Sequence, residues 1–130
     1  GIKIHTNQEG LYGVGEASPF SFITGDTQDG DFELAKMLAK LLMGKNPLEI
    51  EDRIFDMNRQ LKLNPTIISA FDIALFDILG KYTNLPLYAL WGGKNNRVIT
   101  TDMTIGIDTP EVMAKEALSF KKEGFPAIKV

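Results

Sequence analysis

The fold is decided by residues 65–81, which read PTIISAFDIALFDILGK. Apolar side chains fall on nearly every face of a helix built from this stretch, and such a helix is buried on most of its sides. Asp72 and Asp77 interrupt the apolar surface, but they lie about 140° apart around a helix, too far to share one metal ion. Asp77 can pair with Lys81 one turn later. We therefore predict a central buried helix whose acids serve hydrogen bonds or ion pairs.

Upstream of this helix the sequence predicts a β-hairpin and two amphipathic helices. Residues 2–16 form two extended runs separated by turn residues at 7–10. The first helix carries four leucines on one face and ends at Gly44: Leu34, Leu38, Leu41 and Leu42. For the second helix, Asn46 suits the N-cap and Pro47 the first helical position. We therefore predict that the second helix begins at Pro47.

The C-terminal part of the chain has a different pattern. Residues 98–106 and 125–130 are rich in strand-forming side chains, and a helical pattern that ends at Gly124 lies between them. Strands joined through a helix lie side by side in parallel. We therefore divide the chain into residues 1–95 and residues 96–130, with a strand–helix–strand unit in the second part.

Composition and charge exclude several classes of protein. The chain has 130 residues, of which 44% are hydrophobic, so it can bury a core and is not disordered in bulk. Its net charge is −3, which gives no sign of a nucleic-acid partner. No apolar run approaches the roughly 18 residues of a membrane span. The absence of cysteine excludes disulfides and thiolate zinc sites and fits a cytoplasmic location.

Two short motifs have binding interpretations that their spacing does not support. Gly13-Val14-Gly15 lacks the third glycine of a dinucleotide loop, since Ser18 stands there, and the motif opens no helix. Glycines at which two backbones approach closely explain it better. The acidic run from Asp26 to Glu33 fails the calcium-loop pattern, because Gly25 and Lys36 would occupy ligand positions. We expect these acids to stabilise the start of a helix.

Lys129 has two interpretations from the residues alone. It lies between Ile128 and Val130 in a predicted strand and faces opposite to both. A charge that protects an edge strand is one interpretation. A lysine tuned for proton transfer, by desolvation or by a second nearby cation, is the other. The spacing does not choose between them.

Three longer stretches occur in the order that one known group of enzymes has. They are GVGEASP at 13–19, SAFDIALFDILGK at 69–81, and LPL at 85–87 followed by LWGG at 90–93. These stretches resemble the capping-domain signatures of the enolase superfamily, in its muconate-lactonizing enzyme and mandelate racemase-like subgroup. The resemblance implies an α+β capping domain, with antiparallel strands and a helical bundle, over residues 1–95 without its first strand. Residues 96–130 would then be the first βαβ unit of a modified TIM (β/α)8 barrel.

Two further stretches narrow the resemblance. Residues 23–27 read ITGDT, and residues 101–108 read TDMTIGID. The first resembles the cap's second specificity loop in dipeptide epimerases of this subgroup, and the second resembles their first barrel strand. The resemblance implies four substrate contacts, two from the cap and two from the barrel: Ile23, Thr24, Thr104 and Lys129. It also implies a small-molecule substrate, a dipeptide or an acylamino acid, and a homo-oligomeric enzyme.

The implied reaction is 1,1-proton transfer at the carbon α to a carboxylate. One lysine removes the proton, Mg²⁺ stabilises the enediolate, and a second lysine returns a proton to the other face. Residues 125–130 resemble the strand that bears the subgroup's Lys-x-Lys motif, with Lys129 as its first lysine. The resemblance therefore makes Lys129 a catalytic residue near the substrate carboxylate, where it tunes the neighbouring base.

The chain departs from the family pattern at its end, since Val130 stands one residue before the expected base. We expect the Mg²⁺ ligands and the opposing lysine beyond Val130, and we expect the 130 residues to be an inactive part of a larger isomerase. A dipeptide epimerase is the first hypothesis. An N-acylamino acid racemase, an o-succinylbenzoate synthase, a cycloisomerase and a non-catalytic interaction module, whose strand edges a partner covers, stay open.

Overall fold

The computed structural model describes all 130 residues, which form two compact units, Gly1–Gly93 and Lys94–Val130. The first unit has two strands and four helices: β1 (Ile2–His5), β2 (Tyr12–Gly15), α1 (Gln28–Leu42), α2 (Ile50–Gln60), α3 (Pro65–Thr83) and α4 (Leu87–Leu90). The second unit has two strands and one helix: β3 (Asp102–Thr104), α5 (Pro110–Glu123) and β4 (Ala127–Lys129). No helix combines the length and the apolar character that crossing a membrane requires.

The core of the first unit is built around α3, which confirms the predicted central buried helix. Seven of its side chains are buried: Ile67, Ile68, Ala70, Phe71, Ala74, Leu75 and Ile78. Leu38 of α1 and Met57 of α2 are fully buried and belong to the same core. The helix continues to Thr83 and ends at Asn84, which adopts the left-handed conformation with φ 53°. Such a residue commonly closes a helix, because it redirects the chain and satisfies the last carbonyls.

The hairpin of β1 and β2 packs on α3 through its glycines. The two strands pair antiparallel, with Ile2 opposite Gly15 and His5 opposite Tyr12. A Cβ atom on Gly13 would lie 1.9 Å from the Ala74 carbonyl oxygen, and one on Gly15 would lie 1.9 Å from that of Ala70. Real Cβ atoms do not approach backbone oxygens so closely, so only glycine fits at these two positions. The close-approach interpretation of Gly13-Val14-Gly15 is therefore confirmed.

The predicted start of the second helix is wrong, because α2 begins at Ile50 and not at Pro47. The Asn46 side-chain oxygen accepts a hydrogen bond from the Leu48 amide at 3.0 Å, which folds these residues into a turn ahead of the helix. Asparagine closes such turns with the same side-chain oxygen that caps helices, so the signal suits both structures. Glu49 instead takes the N-cap position and pairs with the buried Arg53 at 2.8 Å.

The second unit is a strand–helix–strand unit, and its two strands are parallel as predicted. The strand expected over 98–106 is shorter in the structure and covers only Asp102–Thr104. Its three residues pair with Ala127–Lys129 of β4. Ile105 is the one buried apolar side chain of this unit. That residues 96–130 begin a barrel stays a prediction.

Candidate functional site

The loop between β2 and α1 carries two of the predicted site residues, Ile23 and Thr24. Residues 20–25 form a tight turn in which the amides of Ile23 and Thr24 both donate to the Phe20 carbonyl, at 2.9 and 2.8 Å. Gly25 follows with φ +79°, a conformation that side chains rarely adopt. The turn therefore has one defined backbone path, and the residues at its tip are presented in fixed positions.

The Thr24 hydroxyl is used inside this turn. It donates to the Phe20 carbonyl at 3.1 Å and accepts from the amides of Phe20 and Asp26, at 3.2 and 3.3 Å. A hydroxyl has one hydrogen to donate and two lone pairs to accept with, so these three bonds account for all of its capacity. Sequence reasoning did not find this role, because nothing in the string ITGDT distinguishes a hydroxyl that faces a ligand from one that faces its own backbone.

The base of the loop is attached to the helices on either side. The Thr66 hydroxyl at the start of α3 donates to the Asp26 carboxylate. Thr27 is the N-cap of α1, and its hydroxyl accepts from the Gly30 amide at 3.2 Å. Asp26 and Thr27 therefore attach the base of the loop to α3 and to α1.

The tip of the loop exposes large apolar side chains. Phe22 is 90% exposed and Ile23 is 81% exposed. The Phe20 and Phe22 rings lie against each other, with their centroids 5.7 Å apart. Neighbouring exposed apolar side chains of this size mark contact surfaces more often than scattered single ones do. Phe22 was not among the predicted site residues, although its position next to Ile23 was a signal for it.

Thr104 and Lys129 lie beside each other in the second unit. They are partners in the parallel ladder of β3 and β4, and the Ile105 amide donates to the Lys129 carbonyl at 2.9 Å. Side chains of paired residues point to the same face of a sheet, and both of these are exposed. Both residues are at the carboxyl end of their strand, so a hydroxyl and an ammonium group share one edge of the sheet.

Lys129 is not buried within residues 1–130, and none of the four ion pairs of the chain includes it. Its ammonium group is therefore exposed and has no ionic partner among residues 1–130.

The acidic run at the start of α1 does not form a metal site. No group of three or more histidine, cysteine, aspartate or glutamate residues suited to a metal occurs in the chain. Asp31 is buried beside a cavity of about 150 Å³, and one of its carboxylate oxygens has no hydrogen-bond partner. Burial raises the pKa of the Asp31 carboxyl, and the charge of Asp26 raises it further. Asp29 and Asp31 lie in the first turn of the helix, as predicted. For Asp31 the expected stabilisation by a helix-start charge is outweighed, because its burial disfavours the charged form.

The other acids considered in the sequence, Asp72 and Asp77, belong to α3, and Asp77 makes contacts that hold the fold together. Asp77 pairs with Lys81 at 2.6 Å, as predicted, and also accepts from the Val14 amide at 2.9 Å. Lys81 in turn donates to the Tyr12 carbonyl at 2.9 Å. Burial raises the pKa of the Asp72 carboxyl. Asp77 and Lys81 therefore fasten β2 to α3 beside the two glycines.

Comparison with known families identifies the class to which this fold belongs. Residues 2–92 match the family described as "Mandelate racemase / muconate lactonizing enzyme, N-terminal domain". The match covers the whole first unit except its ends, and the chain belongs to this family. The antiparallel hairpin and the helices of residues 1–93 are therefore its N-terminal capping domain.

Several relatives are similar along nearly the whole chain. The D-Ala-D/L-Ala epimerase of Cytophaga hutchinsonii is 43% identical over 99% of the chain and 35% of its own length. The hydrophobic dipeptide epimerase of Enterococcus faecalis is 42% identical over 99% of the chain and 36% of its own length. The N-succinyl-L-Arg/Lys racemase of Bacillus cereus is 37% identical over 99% of the chain and 35% of its own length.

Solved structures show the same likeness. A dipeptide epimerase from Cytophaga hutchinsonii, complexed with Mg and D-Ala-L-Val, superposes with a TM-score of 0.92 at 43% identity over 98% of this chain. The dipeptide epimerase from Enterococcus faecalis, complexed with Mg and L-Leu-L-Tyr, gives a TM-score of 0.85 at 43% identity over 95% of this chain. Each match covers 35% of the solved chain. The 130 residues therefore span about a third of the length of these relatives.

Proposed function

We propose that the whole protein to which these residues belong is a Mg²⁺-dependent dipeptide epimerase, an isomerase that inverts the α-carbon of a dipeptide's C-terminal residue. The observation that carries the proposal is the 42–43% identity to two dipeptide epimerases across 99% of the chain. One of the similar structures holds D-Ala-L-Val and another holds L-Leu-L-Tyr, each with Mg. Similarity that continues through both units favours the same class of substrate.

The reaction is a 1,1-proton transfer. A lysine amine takes the proton from the carbon α to the carboxylate, and the electron pair of the broken C–H bond moves into an enediolate. A second lysine then returns a proton to the same carbon from the opposite face, so that atoms and charge balance and only the configuration changes. Two lysines on opposite faces are the minimal acid–base set for this exchange.

Lys129 has the role of the first lysine of a Lys-x-Lys pair in this proposal. Its ammonium group attracts the substrate carboxylate, and its positive charge disfavours the charged form of the second lysine two residues on. A lysine that is neutral near pH 7 can act as a base. Thr104, its neighbour on the same edge of the sheet, supplies a hydroxyl beside the bound substrate.

Ile23 and Thr24 contribute the cap side of the substrate site. Their loop is attached to α1 and α3, and the apolar Ile23 side chain is exposed at its tip. A loop with a fixed backbone contributes to specificity at a low entropic cost, because little ordering is left to be done on binding. In the proposal, Ile23 and Thr24 contribute contacts to the side chains of the dipeptide, and Lys129 contacts its carboxylate.

The proposed Mg²⁺ ion takes its ligands from residues other than these 130. Within them no cluster of acids or histidines fits the ion, so its ligands belong to the remaining part of the protein. The same part would complete a modified (β/α)8 barrel, of which β3, α5 and β4 are the first unit. We also infer a homo-oligomeric enzyme, as the resemblance to the family implies. We place it in the cytoplasm, because the cysteine-free composition favours a reducing compartment.

A second candidate function is the racemisation of N-succinylamino acids. The 37% identity to an N-succinyl-L-Arg/Lys racemase over 99% of the chain favours it. Both substrates present an α-carbon between an amide nitrogen and a carboxylate, so the proton chemistry is the same. They differ in the group beyond the amide, where a dipeptide has an ammonium group and an N-succinylamino acid has a carboxylate.

Stereochemical analysis of products separates the two functions. The purified whole protein with Mg²⁺ is incubated with a panel of L,L-dipeptides and with N-succinyl-L-amino acids, and the diastereomers or enantiomers are quantified by chromatography. We expect L,D-dipeptides to accumulate and N-succinylamino acids to stay unchanged. Racemisation of N-succinylamino acids alone would replace the first function by the second, and inversion of neither would contradict both.

A further inference from the structure

The two strands of the second unit divide their side chains between an apolar face and a polar face. Alternate residues of a strand point to opposite faces of its sheet, and residues paired across the ladder point to the same face. Met103 and Ile128 are paired on one face, and both are half-buried. The other face carries the four remaining residues of β3 and β4: Asp102, Thr104, Ala127 and Lys129.

Asp102 and Lys129 are the two charged residues of these strands, and their charges are opposite. Asp102 is opposite Ala127 and Thr104 is opposite Lys129, so Asp102 and Lys129 are diagonal neighbours on one face. The spacing of strands and of residues along them separates their Cα atoms by about 8 Å. Long side chains reach across such a diagonal. The small side chain of Ala127, beside Lys129 on the same strand, leaves room for the lysine to do so.

The order of residues along the strand decides how Asp102 can act. Asp102 comes two residues before Thr104, so it lies on the amino-terminal side of the pair formed by Thr104 and Lys129. In a (β/α)8 barrel the substrate meets the carboxyl ends of the strands. Lys129 is therefore nearer to the substrate than Asp102 is. A lysine ammonium group has three hydrogens to donate, so a bond to Asp102 leaves two for a substrate carboxylate.

A lysine at this position needs an acceptor that fixes it. Its four-carbon stem is flexible, and the four ion pairs of residues 1–130 include neither Lys129 nor Asp102. A carboxylate close to an ammonium group attracts it and favours its charged form. The attraction grows when water is excluded, as a bound substrate does at the edge of the sheet. We therefore expect the contact between the two groups to close when the substrate binds.

We propose that Asp102 is a positioning residue, whose carboxylate holds the Lys129 ammonium group in place for the carboxylate of the substrate. The inference rests on the proposed function, because that function brings a substrate carboxylate to Lys129. It adds to the site a residue to which the resemblance to a family gave no role.

The first test is a crystal structure of the whole protein with Mg²⁺ and the dipeptide of the panel that is inverted fastest. An oxygen of the Asp102 carboxylate should lie within about 4 Å of Lys129 Nζ, the separation of an ion pair. In Asp102→Asn the ammonium group of Lys129 should leave that position. A wild-type Asp102 carboxylate directed at another group, with Lys129 held elsewhere, would overturn the proposal.

The second test separates positioning from a structural role by kinetics. Asp102→Asn keeps the shape and removes the charge, so KM should rise about tenfold while kcat changes less than about threefold. Asp102→Glu restores the charge and should keep KM within about threefold of the wild-type value. Glu116→Gln removes an exposed charge from α5 that forms no ion pair, and it should leave KM unchanged. A lower kcat at unchanged KM, together with a lower unfolding midpoint, would make Asp102 structural and overturn the proposal.

A double-mutant cycle tests whether Asp102 acts through Lys129. In the Lys129→Ala background, Asp102→Asn should lower kcat/KM by less than about twofold, because the group that it positions is gone. A further tenfold fall would overturn the proposal while the epimerase function stands. A wild-type protein inactive on every dipeptide would refute the proposed function and the role of Asp102 together, so the two failures are distinguishable.

Discussion

The two units of the chain differ in what their residues contribute. Of the twelve buried apolar side chains, eleven lie in Gly1–Gly93 and one, Ile105, lies in Lys94–Val130. The second unit exposes several apolar side chains almost completely, among them Val98, Ile99 and Ile107. It nevertheless carries the sheet edge on which Thr104 and Lys129 are neighbours. Residues that stabilise the fold and residues proposed for proton transfer are therefore largely separate, and substitutions should affect either stability or turnover.

The largest effect is expected from Lys129→Ala in the whole protein. The change removes the positive charge near the substrate carboxylate and beside the proposed base, so kcat/KM should fall by about 10²–10³-fold. Because Lys129 makes no ion pair and is exposed, the unfolding midpoint should stay the same. Steady-state kinetics and thermal unfolding of one preparation check both. Full activity in this variant would leave Lys129 only a structural role.

The next largest effect is expected from Gly15→Ala, on stability. The new Cβ would lie 1.9 Å from the Ala70 carbonyl, and relieving that clash requires β2 to move away from α3. We expect a loss of about 3 kcal/mol in the free energy of unfolding, measured by denaturant titration. Gly106→Ala in the second unit is the matched control, because a Cβ there meets nothing within 4 Å. Equal losses in the two variants would contradict the separation between the units.

A smaller effect is expected from Asp77→Ala. The variant leaves the Val14 amide and the Lys81 ammonium without their acceptor, so β2 is held to α3 less firmly. A loss of about 1 kcal/mol in unfolding free energy is the expected size, since these groups regain water. Asp72→Ala on the same helix makes neither contact, and because burial disfavours the charged carboxylate, this variant should lose no stability at pH 7. The same denaturant titration compares the two variants. A larger loss of unfolding free energy in Asp72→Ala than in Asp77→Ala would contradict the role of Asp77 in holding β2 to α3.

The smallest effect concerns the buried carboxyl of Asp31 and depends on pH. Burial and the charge of Asp26 raise its pKa in the folded state above the ordinary 3.8, so its contribution to stability is present below pH 3.8 and is lost as the pH rises through the raised value. At pH 7, Asp31→Asn should therefore raise the unfolding midpoint by about 2 °C, and below pH 3.8 the gain should vanish. Asp29→Asn, in the same helical turn but exposed, should show no such gain. A gain that grows toward acid pH would contradict the assigned cause.

Most of the first unit could be predicted from the sequence because its signals are local and repeated. Residues 65–81 are apolar on nearly every face, and a helix of that kind packs into the core on most of its sides. The two glycines at 13 and 15 indicated a close backbone approach, although α3 as their partner was not predicted. The pair Asp77–Lys81 follows from helical spacing alone.

The remaining features depend on contacts that the sequence does not encode locally. Asn46 suits both a helix cap and a turn; in the structure it closes a turn, and Glu49, which pairs with the buried Arg53, takes the helix start instead. The Thr24 hydroxyl faces its own backbone because Gly25 turns the chain, and a resemblance of five residues carries no such geometry. Lys129, the one residue of the chain proposed to take part in proton transfer, lies in the second unit. Its spacing left two interpretations open, and only the resemblance to a family chose between them.

The most direct measurement is exchange of the substrate α-proton with solvent. The whole protein is incubated with Mg²⁺ and a hydrophobic L,L-dipeptide in D₂O, and proton NMR follows the α-proton of each residue. We expect the signal of the C-terminal residue's α-proton to disappear at the rate at which the L,D-epimer forms, while the N-terminal residue keeps its proton. No exchange at either α-carbon, across hydrophobic and charged dipeptides, would contradict proton transfer as the function of this protein.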